Sequence, residues 1–209
     1  MTRVILASAS PRRRELLAAL AADFEVLAAD VPEPLGGDPH ENATSLAAAK
    51  ASAVSKHHPG ALVIGADTIV HDAGVSYGKP RDAADAVRIL GELRGRTHQV
   101  VTGLAVAADG ELRVASSETA VHMAVLSDGQ VAAYVASGRP LDKAGAYAIQ
   151  DGDVPTVASW DGCYCNVVGL PLWRLRALLR ECGLTWAEPH LSIMRCAECP
   201  ERDSSLTRG

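Results

Sequence analysis

The chain has 209 residues, of which 48% are hydrophobic, so it can bury a full core in one large domain or two small lobes. Its formal net charge of -5 at pH 7 and aromatic content of 4% argue against a protein that binds nucleic acid, because a phosphate backbone attracts cations and single strands stack on aromatic rings. No apolar run reaches the roughly 18 to 20 residues that cross a bilayer, and no basic region precedes the first apolar stretch, so we expect a cytoplasmic protein without membrane contact.

The first predicted helix, over about 11–22, directly follows a short apolar strand. Ser10 is a good N-cap, and Pro11 suits the first helical position. Arg12 and Arg13 follow in the first turn, where free backbone N–H groups and the helix dipole also favour an anion. The pattern indicates a phosphate site, although an ordinary capped helix with solvated arginines would have the same sequence.

Predicted strands and helices alternate along the chain. Strands are predicted at 3–7, 24–28, 61–71, 97–107, 112–125, 154–160 and 163–168. The later helices are predicted at 41–56, 81–94, 127–137 and 171–182. The turn signals Asp109-Gly110 and Asp161-Gly162 predict hairpins, so the sheet is not all parallel. Together these features predict a mixed α/β fold.

Asp67 is the strongest candidate for chemistry, because it interrupts a strand that is otherwise apolar. A carboxylate there must be solvated in a cleft, paired with a cation or bound to a metal, since an isolated buried charge is costly. Lys50, in an alanine-rich helix, and Lys79, in a Gly-Lys-Pro turn, are the candidate partners. Glu33 lies between two prolines and is the candidate second carboxylate of a Mg²⁺ site. A structural salt bridge and solvated surface charges are the simpler alternatives.

Gln150 ends a short polar and apolar stretch, and its amide could recognise a base edge or a phosphate. A glutamine that merely ends a strand is the alternative. His98 and Thr102 are interpreted as packing or hydrogen-bonding groups rather than as catalysts.

Five cysteines without a secretion signal predict reduced thiols rather than disulfides. Cys163 and Cys165 should face the same way on their predicted strand. Cys196 and Cys199 form a CxxC pair that could supply half of a zinc site if another chain supplied the rest. The alternative is a polar tail with two thiols, and residues 183–209 are expected to form a loosely ordered extension.

Several segments, taken in order, resemble the Maf family of nucleoside triphosphate pyrophosphatases over about residues 3–182. These segments are Ser8-Ala9-Ser10-Pro11-Arg12-Arg13, Glu33, Lys50, Gly65-Ala66-Asp67-Thr68, Gly78-Lys79-Pro80, His98-Gln99-Val100-Val101-Thr102-Gly103, Lys143-Ala144-Gly145-Ala146-Tyr147-Ala148-Ile149-Gln150 and Gly169-Leu170-Pro171. The resemblance implies one α/β domain over 1–182, with an elongated, curved mixed sheet and two lobes around a central cleft, as in inosine triphosphate pyrophosphatases. It also implies a homodimer that cleaves a nucleoside triphosphate between the α and β phosphates with Mg²⁺ or Mn²⁺.

The resemblance also implies residue roles. The implied catalytic residues are Asp67, Lys50, Lys79 and Arg13. The implied metal ligands are Asp67 and Glu33. The implied substrate-binding residues are Ser8, Ser10, Arg12, Thr68 and Gln150. Within this set, Asp67 is expected to orient or deprotonate the attacking water.

Arg12, Thr68 and Gln150 are similar to the subgroup that acts on dTTP and UTP, whereas the subgroup acting on 7-methyl-GTP tends to carry tryptophan, glutamine and glutamate at these places. We therefore expect a house-cleaning enzyme for dTTP and UTP, with modified pyrimidine nucleotides as further candidates. The usual Tyr-Gly-Ile-Gln-Gly of the family is Tyr-Ala-Ile-Gln-Asp over 147–151 here, which leaves base preference more open. The alternatives are a purine-directed pyrophosphatase of the inosine type and a nucleotide-binding regulator of cell division.

Overall fold

The computed structural model describes residues 2–21, 23–32, 37–152 and 154–204. The strands are β1 (Val4–Leu6), β2 (Glu25–Val26), β3 (Leu62–Asp72), β4 (Val75–Tyr77), β5 (Thr97–Ala108), β6 (Glu111–Met123) and β7 (Val157–Asp161). The helices are α1 (Pro11–Ala18), α2 (Pro39–Ser55), α3 (Ala83–Leu93), α4 (Asp128–Ala136), α5 (Tyr164–Val168), α6 (Leu172–Glu181) and α7 (Glu201–Ser204). Short 3₁₀ turns lie at Arg139–Asp142, Ala144–Ala146, Pro189–Leu191 and Met194–Cys196. The strands form one sheet in the order β2-β1-β3-β5-β6-β7, with β4 paired to β3, and the predicted α/β class is confirmed.

One predicted strand is a helix. The sequence interpretation placed a strand at 163–168, but this segment forms α5. Gly162 and Gly169 bracket it with φ angles of 127° and 117°, which let the chain close a single helical turn. An apolar run this short does not distinguish a strand from a buried helix by its pattern. Cys163 is the N-cap of α5 and Cys165 lies within the helix, so the prediction that both alternate along a strand is wrong.

The chain divides into two compact units. Unit 1 comprises residues 1–68, 101–118 and 162–209, and unit 2 comprises residues 69–100 and 119–161. Strands β3, β5 and β6 each contribute residues to both units. Among the residues that the structure describes, no helix combines the length and the apolar character of a membrane span.

In unit 1, α2 lies directly on the sheet. Strand β1 pairs in parallel with both β2 and β3. A Cβ at Gly65 on β3 would lie 2.2 Å from the carbonyl oxygen of Ala47, and one at Gly103 on β5 would lie 2.2 Å from that of Ala43. Only glycine leaves room for this approach, and small side chains of α2 then pack against the strands. The core residues gathered there include Ile5, Ala47, Ala51, Val63 and Ala105.

The substitution Gly65→Ala is expected to lower the free energy of unfolding by about 1–3 kcal/mol, because the added methyl group would collide with the backbone of α2. Urea denaturation measures the change. Gly91→Ala is the matched control, since Gly91 lies exposed on α3 with open space around its Cβ position. Alanine there should stabilise the helix by roughly 0.5–1 kcal/mol. A Gly65→Ala protein as stable as the parent would contradict the close contact between α2 and β3.

In unit 2, a polar network fixes the segment that follows the 3₁₀ turn at Ala144–Ala146. The Nε2 atom of His98 lies 2.7 Å from the hydroxyl of Tyr147, and burial lowers the pKa of His98 to about 4, so its ring is neutral near pH 7. The hydroxyl of Tyr134 on α4 donates to a carboxylate oxygen of Asp151 at 2.5 Å. The same hydroxyl accepts from the backbone N–H of Ala148 at 3.2 Å. The interpretation of His98 as a hydrogen-bonding group is confirmed.

The C-terminal segment packs against α5 and α6. Trp173 on α6 donates from Nε1 to the carbonyl oxygen of Cys196 at 2.9 Å. Cys196 and Cys199 are buried, and Ser117 on β6 donates a hydrogen bond to the carboxylate of Glu201 on α7. In its described part this segment makes specific contacts with α6 and β6. A few buried side chains anchor a stretch that has no periodic apolar face.

Candidate active site

The start of α1 is built as the sequence predicted. Ser10 is the N-cap, its side-chain oxygen accepts from the backbone N–H of Arg13 at 3.4 Å, and Pro11 is the first helical residue. The buried hydroxyl of Ser8 accepts from the backbone N–H of Ser10 at 3.3 Å. Arg12 is half-buried and close enough to Arg13 for their charges to interact. Two guanidinium groups thus lie in the first turn of a helix, where backbone donors and the dipole favour an anion.

Arg13 is held by three oxygen atoms. Its Nε donates to the carbonyl oxygen of Gly169 at 2.8 Å. Its Nη1 donates to the hydroxyl of Ser8 at 3.1 Å, and its Nη2 donates to that of Thr68 at 2.9 Å. Burial lowers the pKa of Arg13, and the nearby Asp67 carboxylate opposes this shift. Because arginine keeps its charge near neutral pH, the side chain supplies a fixed positive charge.

A chain of hydrogen bonds continues from Arg13 into β5 and α5. The Oγ1 atoms of Thr68 and Thr102 lie 2.9 Å apart, and Thr102 donates to the carbonyl oxygen of Asn166 at 2.9 Å. Each hydroxyl has one proton, so Thr68 donates to Thr102 and accepts from Arg13. The interpretation of the buried Thr102 as a hydrogen-bonding group is confirmed. The hydroxyl of Thr68 therefore positions Arg13.

Lys50 and Asp67 form an ion pair largely shielded from water. The Lys50 Nζ and Asp67 Oδ1 atoms lie 2.5 Å apart, and the two side chains are 16% and 14% exposed. Lys50 lies on α2 and Asp67 lies on β3. These two elements approach closely where Gly65 faces the backbone of α2. The cost of removing two charges from water offsets much of their attraction, so the pair is a weak source of stability. Of the two predicted partners of Asp67, Lys50 is thus in direct contact with it.

The Asp67 carboxylate keeps one oxygen for a partner other than Lys50. Lys50 contacts one of the two carboxylate oxygens, and a carboxylate has about four lone-pair sites, so Asp67 can accept a further partner. Mg²⁺ prefers oxygen ligands and commonly takes one or two carboxylates together with phosphate oxygens and water. The remaining oxygen of Asp67 is a ligand type that such an ion accepts. Glu33, the second predicted ligand, lies outside the described residues.

Lys79 and Gln150 belong to unit 2, and both are exposed. Lys79 lies between β4 and α3, in a turn where the carbonyl oxygen of Gly78 accepts from the backbone N–H of Gly145 at 3.2 Å. Gln150 lies in the segment that Tyr134 holds on both sides. Exposure leaves the ammonium and the amide accessible to a ligand.

Sequence reasoning assigned no role to Gly169, whose carbonyl oxygen binds Arg13. Gly169 has a φ of 117°, and a Cβ there would lie 3.2 Å from the Thr68 hydroxyl and 3.4 Å from the Arg13 Nε. Glycine is needed both for this backbone conformation and for clearance. The Gly-Leu-Pro sequence leads directly into the helix predicted at 171–182, but it could not show which side chain the carbonyl group meets.

A helix N-terminus with two arginines, beside a carboxylate on a mixed sheet, defines an α/β protein whose site suits a phosphorylated ligand. The sequence matches the family described as Maf-like protein over residues 3–182. The chain belongs to this family, and the resemblance seen in its motifs is confirmed.

Three relatives carry the name dTTP/UTP pyrophosphatase. The protein from Thermomicrobium roseum is 43% identical over 209 residues, which cover 98% of this chain and 96% of the relative. The protein from Geobacter sulfurreducens is 50% identical over 185 residues, 87% of this chain and 97% of the relative. That from Geobacter metallireducens is 49% identical over 186 residues, with the same coverage of 87% and 97%. The first alignment therefore includes most of the C-terminal segment.

The substitution Arg13→Lys is expected to lower the free energy of unfolding by about 1–3 kcal/mol, because lysine keeps the charge but cannot donate to three oxygens in a planar fork. Urea denaturation measures this loss. Arg14→Lys is the matched control, since Arg14 is the exposed next residue of the same helix, and a change within about 0.5 kcal/mol is expected. Equal effects at both positions would contradict a structural role for the Arg13 contacts.

Proposed function

We propose that this protein hydrolyses dTTP and UTP to the nucleoside monophosphate and pyrophosphate. Relatives with the name dTTP/UTP pyrophosphatase, 43% and 50% identical over most of the chain, support the proposal. The observation that carries it is the position of the Asp67–Lys50 pair near Arg13 at the start of α1. This arrangement combines a carboxylate that can take a proton with fixed positive charge for a polyphosphate.

Positive charge in unit 1 neutralises the triphosphate. The guanidinium group of Arg13 is oriented by its three oxygen partners, so it needs no rearrangement when charge develops during the reaction. The first turn of α1 adds backbone donors and the charge of Arg12. Lys50 adds a further positive charge in unit 1, and the family resemblance supports Lys79 as another cation.

Asp67 takes a proton from the water that attacks the α-phosphorus. The water oxygen bonds to phosphorus while the bond to the bridging oxygen of the β-phosphate breaks, and pyrophosphate leaves with that oxygen. Lys50 holds the carboxylate in a fixed orientation through Oδ1. A divalent cation, Mg²⁺ or Mn²⁺, would be held by Asp67 and Glu33 and would supply Lewis-acid stabilisation of the phosphate charge.

The substitution Asp67→Asn is expected to lower kcat for pyrophosphate release at least ~100-fold, because an amide cannot act as a general base. The assay follows pyrophosphate formed from dTTP and UTP with Mg²⁺ or Mn²⁺, and circular dichroism checks the fold. Asp109→Asn is the matched control, since Asp109 lies in an exposed turn with a φ of 51°, which asparagine tolerates. Near-normal pyrophosphate release by the Asp67→Asn protein would refute the assigned role.

The same assay separates the proposal from its alternatives when it is run across a panel of nucleotides. A preference for inosine triphosphate over dTTP and UTP would favour a purine-directed pyrophosphatase. Nucleotide binding without pyrophosphate release, with both metals, would favour a regulatory protein.

Base choice is proposed to depend on Gln150, with Arg12 and Thr68. The amide of Gln150 offers both a donor and an acceptor to a base edge, whereas a glutamate offers only acceptors. Gln150→Glu is expected to lower kcat/KM for dTTP and UTP ~10-fold or more, mainly through KM, relative to 7-methyl-GTP. An unchanged ratio between these substrates would assign base recognition to other residues.

We further propose a cytoplasmic homodimer, which the family resemblance supports. Light scattering coupled to size-exclusion chromatography would test the oligomeric state.

A further inference from the structure

Four of the five cysteines form two sulfur pairs in unit 1, at the junction of α5 with the C-terminal segment. Cys163 and Cys165 come from the start of α5, whereas Cys196 and Cys199 come from the CxxC pair. The sulfur atoms of Cys165 and Cys196 lie 3.4 Å apart, and Cys163 hydrogen-bonds to Cys199. All four side chains are buried, with exposures of 1% for Cys163 and Cys165, 2% for Cys196 and 7% for Cys199. We call these four residues the cysteine cluster.

The C-terminal segment buries both thiols of its CxxC pair, while two of its larger apolar side chains stay exposed. Leu191 is 74% exposed and Met194 is 87% exposed, although both are more hydrophobic than cysteine. If apolar burial alone held this segment, Leu191 and Met194 would be expected to be buried in preference to the smaller thiols. The folded segment instead turns both thiols of its CxxC pair toward α5. The contact is therefore made by the two thiols rather than by these two larger side chains.

We propose that the cysteine cluster binds one zinc ion in a closed tetrahedral site that fastens the C-terminal segment to α5. Four sulfur ligands without an open position are typical of structural zinc, and a CxxC pair is a common half of such a site. The other half comes from Cys163 and Cys165 of the same chain, so no second chain is needed. The proposed zinc site is separate from the Asp67 carboxylate and does not depend on the proposed hydrolysis.

Each sulfur pair is close enough for both of its atoms to bind one ion. The Cys165 and Cys196 sulfur atoms lie 3.4 Å apart, with either thiol able to donate to the other, and Cys163 is hydrogen-bonded to Cys199. Zinc binds thiolates, so the four thiol protons are released to water as the ion binds.

The surroundings suit a site with negative charge. Four thiolates and one Zn²⁺ sum to about -2. Arg195 and Arg202 flank the CxxC pair, and their guanidinium carbons lie 4.4 Å from the ring centroid of Tyr164 and 5.8 Å from that of Trp173. Glu201 has a carboxylate oxygen within 4.8 Å of the sulfur atoms of Cys163 and Cys199, and its carboxylate accepts a hydrogen bond from Ser117. We assign the ligands to the four cysteines, because four sulfur ligands are typical of structural zinc.

Titration of the full-length chain with Co²⁺ alone tests the proposal. The protein is reduced, stripped with a chelator and exchanged into chelator-free buffer. We expect thiolate-to-cobalt charge-transfer bands that saturate at one ion per chain and disappear when one equivalent of Zn²⁺ is added. Oxygen ligands do not give these bands, so Asp67→Asn should retain them, and a failure of the proposed hydrolysis would leave the result unchanged.

Substitution separates the cysteine cluster from the remaining thiol. Cys196→Ser should abolish the charge-transfer bands, whereas Cys182→Ser, which changes the half-buried cysteine outside the cluster, should retain them. Native mass spectra of the unmodified chain before and after chelation give the metal content without any variant, in case Cys196→Ser fails to fold. Absence of thiolate bands in the parent protein, bands that survive Cys196→Ser, or two disulfides in a chain that takes up no metal would overturn the proposal.

Discussion

The close approach of α2 to the sheet is the constraint on which the candidate active site depends. Because Gly65 and Gly103 carry no side chain, the helix backbone rests on β3 and β5, and Lys50 reaches Asp67 at 2.5 Å. The ion pair adds little net stability, since both charges have left water. Packing of the alanine-rich helix face, rather than attraction between the charges, therefore brings the lysine to the carboxylate.

Helix α5 connects this site to the cysteine cluster. Its first turn carries two of the clustered cysteines, while the carbonyl oxygens of Asn166 and Gly169 hold Thr102 and Arg13. A helix of five residues has too few internal hydrogen bonds to be stable alone, so its position depends on contacts at both ends. Contacts that fix the sulfur atoms at its start therefore also help to fix the carbonyl groups of Asn166 and Gly169.

Local signals predicted much of this molecule, because they act within one element. The cap at Ser10 and the buried strand around Asp67 follow from neighbouring residues, and the structure contains both. The contact of Arg13 with Gly169 joins residues 156 positions apart, and no periodicity in either segment records it. The sequence did not predict α5 for a related reason, because a short apolar run fits a strand and a helix equally well. It did not predict the cysteine cluster because a CxxC pair does not indicate which distant residues complete its site.

The direction of one hydrogen bond constrains base choice at Thr68. Its single hydroxyl proton goes to Thr102, and one of its two lone pairs accepts from Arg13, so only an acceptor site remains for a ligand. A base that contacts Thr68 must therefore present a donor. Under the proposed function, thymine and uracil can offer this donor through N3–H, whereas cytosine can offer it only through its exocyclic amino group. The contacts that orient Arg13 therefore leave Thr68 able to accept a hydrogen bond from a ligand but not to donate one.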